Sequence, residues 1–198
     1  MKSILVKEAQ TDHPVLSQIK KRWSARSFSD KPIADQQMNT LFEAASWAAS
    51  SNNEQPWEYY YAHRDTEGFQ QIWDTMMPGN RPWAHNAAVL VVAVARKTFA
   101  ATGGFNASAE HDLGMANAHL LLQAVSLEIF AHQIGGFDKG KMADLLGLDD
   151  HQAPLCIIAL GYLDEPEKLE EPYRTRELTP RKRKGIGEFA HLVGQKTG

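Results

Sequence analysis

Residues 87–95, AAVLVVAVA, contain four valines and no polar side chain. Branching at Cβ favours extended backbone, and a strand without polar alternation has to be covered on both faces. A chain carrying this segment therefore needs a sheet with a packed layer on either side. A second run of the same kind, PLCIIALGY at 154–162, lies far along the chain. WEYYYA, from Trp57, adds an aromatic stretch suited to a third strand.

Helical signals fall between these runs. Asp12 and Pro14 predict a helix start that continues through VLSQIKK. Over about 35–49, Met38, Leu41, Phe42, Ala45 and Ala48 recur at steps of three and four and share one face. A further helix is expected over about 67–76, broken at PGNRP. Residues 111–134 give the longest periodic stretch, with Leu113, Ala116, Leu120, Ala124, Leu127, Ala131 and Ile134 in one stripe. Leu121, Leu122, Val125 and Ile129 make its other faces apolar too, which predicts a helix at the centre of the molecule or in a subunit interface. GGF (135–137) is expected to end it, and a short helix over about 138–146 to follow. The last 35 or so residues are polar and basic, and have to lie on their own domain or on a partner. At 198 residues the whole, 1–198, reads as one domain with a C-terminal extension over about 164–198.

Charge and cysteine usage narrow the function. A net charge of −3 argues against general nucleic-acid or membrane affinity, so basic clusters are read locally. Cys156 is the single cysteine, which excludes an intrachain disulfide framework. The opening MKSILVKEAQTDH lacks the apolar core of a signal peptide, and a cytoplasmic location is expected. The eight histidines form no HxxxH or HExxH pair, so a metal site is not expected. No GxGxxG, Walker A or GxSxG pattern is present either.

Four stretches remain as carriers of chemistry. In RWSARSF (22–28), extended backbone would point Arg22, Ser24 and Arg26 the same way, as a phosphate clamp needs. A solvated basic surface fits the same residues. SSNNEQPW (50–57) offers hydroxyls, amides and backbone donors before an indole, and an ordinary polar loop would look alike. Two glycines at 135–136 allow either a helix end or close approach of a flat ligand. RKRK (181–184) fits a solvated tail, a nucleic-acid contact or a second anion clamp.

Taken in order, these stretches resemble the nitroreductase-like family of FMN-dependent oxidoreductases. RWSARSF is similar to that family's N-terminal Arg-x-Ser-x-Arg-x-Phe element, and SSNNEQPW to its Ser-Ser-x-Asn-x-Gln-Pro-Trp loop. IGGFD (134–138), LLGL and PLCIIALGY resemble its flavin-edge turn, next helix and returning strand, and RKRKGIGEF its basic C-terminal segment. Ala49 stands where the family's loop usually has proline, and Gly185 and Gly187 where Pro and Glu are commoner.

The resemblance implies an α+β fold, a three-layer α-β-α sandwich on a mostly antiparallel sheet, in an intertwined homodimer whose C-terminal segments reach the partner. It implies FMN as cofactor and NADPH or NADH as co-substrate. Hydride would pass through flavin N5 in ping-pong order to a nitroaromatic, quinone or related acceptor. Arg22, Ser24 and Arg26, with the Trp23 backbone, would hold the phosphate and the polar ring edge. Ser50, Ser51, Asn53 and Gln55 would reach the flavin from the other subunit, Gly135 and Gly136 would lie against the ring, and Arg181 or Arg183 would complete the clamp. No catalytic acid or base is implied, since the cofactor carries the chemistry. Two alternatives stand beside this reading: an FMN enzyme of another reaction (dehydrogenation or reductive dehalogenation), and a basic-tailed binding module with no enzymatic activity.

Overall fold

The computed structural model describes residues 1–194. Four strands form one antiparallel sheet: β1 (Trp57–His63), β2 (Val89–Arg96), β3 (Ile129–Ile134) and β4 (Gln152–Tyr162), in the order β1-β2-β4-β3. The valine-rich run is β2, an inner strand. Its side chains divide by parity, Val89, Val91, Ala93 and Ala95 entering one core and Leu90, Val92 and Val94 the other. All seven are 0% exposed, as a strand covered on both faces requires.

One face is covered by α3 (Asp35–Ser46) and α6 (Ala109–Ser126), through Met38, Leu41, Leu113 and Leu120. The other face carries α4 (Glu67–Asp74), α5 (Arg81–Ala84) and α7 (Lys139–Leu146), through Phe69, Ile72, Trp83 and Met142, together with the segment 22–28. The starts of α3, α4 and α7 have local causes. Thr66 Oγ1 accepts from the Phe69 amide at 3.3 Å to cap α4, and Asp138 Oδ1 accepts from Lys141 at 3.0 Å to cap α7. Gln37 reaches back to the Ala34 amide at 3.2 Å at the start of α3.

The N-terminal helix differs from expectation. Only α2 (Ser17–Lys21) forms there, with Leu16 rather than Asp12 at its N-cap, because Pro14 disfavours helical backbone at His13. A short helix, α1 (Lys2–Lys7), precedes it. Its buried residues are Ser3 and Lys7 while Ile4 and Leu5 are exposed, so no apolar stripe announces it.

The stretch 111–134 is two elements. Helix α6 stops at Ser126, Glu128 turns in left-handed backbone at φ 60°, and the chain returns as β3. IFAHQI satisfies helical spacing and strand alternation alike, and pairing with β4 decides between them. GGF consequently follows a strand and caps no helix.

Past β4, α8 (Tyr173–Leu178) packs on α1, and Lys7 Nζ donates to the Arg176 and Thr179 carbonyls at 2.6 Å each. Residues 182–194 are exposed, Ile186, Phe189, Leu192 and Val193 among them. Among the described residues no helix is long and apolar enough to cross a membrane.

Gly161 in β4 sits under the Phe28 ring. An added Cβ would lie 2.6 Å from Phe28 Cδ1 and 3.0 Å from its Cβ, so the root of that side chain as well as its rim would have to shift. Gly161→Ala is expected to cost about 2 kcal/mol through overpacking. For a chain of this size that lowers Tm by roughly 4–8 °C. An unchanged Tm would show that Phe28 moves aside freely.

Candidate functional site

Segment 22–28 runs extended across the second core with a period of two. Trp23, Ala25 and Ser27 are buried, whereas Arg22, Ser24 and Arg26 face outward. Side chains from β3 and α8, and the backbone carbonyl of Glu165, lock the inward groups. The Trp23 ring packs on Phe130 at 4.5 Å between centroids, and its indole N–H donates to Glu177 Oε1 at 3.1 Å. The second oxygen of Glu177 accepts from the Arg26 amide at 3.2 Å. His132 Nδ1–H donates to the Ala25 carbonyl at 3.0 Å, and Ser27 Oγ donates to the Glu165 carbonyl at 2.8 Å. The backbone bridge of Phe28 to Leu163 closes the segment.

The outward groups form a cationic cluster to which the end of the described chain contributes. Burial lowers the pKa of Arg22, with the nearby Arg183 charge adding to it. Burial also lowers Arg26; Glu177 opposes this, and Arg176 reinforces it. Arg181 is lowered by burial and then by Arg22 and Arg183. Arg22, Arg181 and Arg183 thus crowd one another, and Arg26 has Arg176 as its nearest cationic influence. Among the described residues, no ion pair neutralises Arg22, Arg26, Arg181 or Arg183. Guanidinium forks held together without a paired carboxylate suit a phosphate.

The two candidates at the end of the chain have different duties. Arg181 donates through Nη1 to the Arg22 carbonyl and through Nη2 to the Lys20 carbonyl, at 2.5 Å each. It staples the tail to the segment. Among the described residues the exposed guanidinium of Arg183 bonds only the neighbouring Lys182 carbonyl, at 2.8 Å.

Gly135 and Gly136 differ in the same way. A Cβ on Gly136 would sit 3.0 Å from Asn80 Nδ2, and its carbonyl accepts from the Met77 amide at 2.9 Å, so this glycine serves close backbone approach. A Cβ on Gly135 would meet nothing within 4 Å, which leaves an open face beside β3.

The loop Ser50–Gln55 lies elsewhere on the chain. Asn52, Asn53 and Gln55 hold φ of 53°, 55° and 53°, each a left-handed non-glycine conformation costing on the order of 1 kcal/mol. Contacts around the loop fix this shape. The Gln55 amide donates to Ser50 Oγ at 3.0 Å, and the Ser51 amide to buried Asp112 Oδ2 at 2.9 Å. Among the described residues no hydrogen bond joins this loop to the arginine cluster; its partners are α6 and residue Ala100.

Two further residues shape the cluster. His132, stacked on Trp83 at 4.4 Å, lies in the stretch whose helical spacing masks its strand parity. Glu177 is fully buried within a tail whose composition carries no core signal. Only strand parity over 129–134 could have marked His132, and nothing in the sequence marks Glu177.

The fold is a sheet covered by helices on both faces, with a cluster of arginines at one of them. The family model described as "Nitroreductase family" matches residues 19–80 and 63–162, and the chain belongs to that family. A solved structure described as an oxidoreductase containing FMN is 32% identical, each chain being covered to 96%, with a TM-score of 0.88. A nitroreductase family protein of Streptococcus pneumoniae TIGR4 shares the fold at a TM-score of 0.71 and 22% identity, over 88% of this chain and 98% of that one. An Archaeoglobus fulgidus protein named "Putative NADH dehydrogenase/NAD(P)H nitroreductase" is 26% identical over 74% of this chain and 84% of its own.

Proposed function

We propose that the chain is an FMN-dependent oxidoreductase that draws electrons from NADPH or NADH and passes them to a small acceptor such as a nitroaromatic or quinone. The observation that carries this reading is the set of outward guanidinium groups at Arg22, Arg26 and Arg183, none of them in an ion pair among the described residues. The donor set fits a phosphate monoester, and the open face at Gly135 fits a planar ring. The FMN in the 32%-identical structure supports the cofactor, and the name of the Archaeoglobus relative supports the nicotinamide donor.

In this reading Arg22, Ser24 and Arg26 hold the phosphate and polar edge, and Arg183 rather than Arg181 completes the clamp. Gly135 lies against the ring with a backbone N–H available to it, while Gly136 holds the turn in place. Ser50, Ser51, Asn53 and Gln55 contribute from the second subunit of a homodimer, over which the exposed residues 182–194 extend. Bound flavin supplies two-electron transfer between donor and acceptor in a ping-pong order. The chain's own residues bind, orient and neutralise charge, and no side chain is assigned as acid or base.

The test is an anaerobic absorption spectrum of the purified protein with FMN. A bound-flavin band bleached by NADPH or NADH is the expected result. A flavin band that neither nucleotide bleaches would point to another donor, and no binding of FMN would remove the reading.

A further inference from the structure

Glu177 stands on α8, beyond the residues that match the family model, and is 0% exposed. Both carboxyl oxygens are occupied by N–H donors, the Trp23 indole and the Arg26 amide. The charged groups facing it are cations, Lys7 from α1 and Arg26 from the clamp segment. Burial pushes its pKa up, opposed by these donors and cations. The geometry accommodates the ionised form, because a protonated oxygen would turn its hydrogen toward a donor.

Among the described residues, the one β-bridge of segment 22–28 is that at Phe28, so no ladder of backbone bonds sets its alternation. Its register depends on side chains that grip inward groups, and Glu177 grips two of them. We infer that Glu177 is a positioning residue for the phosphate clamp: by fixing the Trp23 indole and the Arg26 amide, it makes Arg22, Ser24 and Arg26 project together. The same residue joins the clamp to the C-terminal segment that brings Arg183. This inference rests on the flavin reading above. Positioning is favoured over charge compensation because the carboxylate bonds the backbone amide of Arg26 and, among the described residues, forms no ion pair with a guanidinium.

Positioning and compensation predict opposite results. Removing a merely compensating negative charge would tighten anion binding, whereas loosening the clamp weakens it. FMN and riboflavin dissociation constants, read from flavin fluorescence on the purified full chain, separate the two, since riboflavin lacks the phosphate. Glu177→Gln is expected to weaken FMN by about tenfold or more, and riboflavin by less than about threefold. FMN binding that is unchanged or tighter would overturn the inference. Equal weakening of both ligands would overturn it too, because general loosening does not discriminate the phosphate. Should Glu177→Gln fail to fold, Glu177→Asp keeps the charge and shortens the reach. An FMN-over-riboflavin preference lowered by about threefold or more is then expected, and the wild-type preference would overturn the inference. Wild-type chain that binds no FMN removes the flavin reading together with this inference, while wild-type binding beside an unaltered Glu177→Gln removes the inference alone.

Discussion

Arg22→Ala combined with Arg26→Ala is expected to weaken FMN binding on the order of a hundredfold or more, with the fold retained. Each charge-assisted contact is worth roughly 1.5–3 kcal/mol, and two of them together exceed that threshold. The fold is expected to persist because both side chains face outward. The inward side of the segment is held by Trp23, Ala25 and Ser27, which the substitutions leave in place. The substitutions also relieve the repulsion that Arg22 bears from Arg183 and Arg26 from Arg176. Flavin titration beside a far-ultraviolet circular dichroism melt checks both halves. Full flavin occupancy in the double variant would show that the phosphate sits elsewhere.

The second large effect is acid destabilisation through His132. Burial, followed by the Arg26 charge, holds its pKa down to about 4 against the ordinary 6.5. Hydrogen bonds to backbone carbonyls oppose the shift without cancelling it. Between these values the unfolded chain takes up a proton that the native chain refuses. Stability is therefore complete above pH 6.5 and falls as the pH drops toward 4. At 1.36 kcal/mol per unit the loss reaches about 3 kcal/mol at the lower end. Other carboxyl groups titrate in the same range, so the informative quantity is a comparison. Denaturant unfolding at pH 7 and pH 4.5 is expected to differ less in His132→Gln than in wild type, by about 2–3 kcal/mol. An identical pH dependence in the two proteins would mean that His132 does not carry it. A bound phosphate beside Arg22 and Arg26 would offset their repulsion, so saturating FMN is expected to shrink the wild-type loss.

What the sequence discloses follows from how each element is stabilised. Strands β2 and β4 are buried runs whose composition permits few alternatives, and both lie where the apolar stretches stand. Helices α3, α4 and α7 carry periodic faces with local starting signals, and form close to their expected ends. The boundary between α6 and β3 escaped because helical and alternating spacing coincide over 129–134, and the sheet settled the matter. Helix α1 escaped because its buried residues, Ser3 and Lys7, are polar.

The outward row of segment 22–28 was legible in part for the same kind of reason. The alternation of Arg22, Ser24 and Arg26 follows from strand parity and needs no tertiary knowledge. The division of labour between Arg181 and Arg183 depends on which carbonyls the tail passes, and neighbouring basic residues in a polar tail give no hint of that. Glu177 and Lys7 are buried ionisable groups whose partners lie more than a hundred residues away in the chain.

A crystal structure of the purified protein with FMN would test most directly whether distant cations meet on one phosphate. The account predicts phosphate oxygens within hydrogen-bonding distance of the Arg22 and Arg26 guanidinium groups, with Arg183 closing over them and the ring beside Gly135. An FMN phosphate bound away from these arginines, with their guanidinium groups turned to solvent, would contradict it.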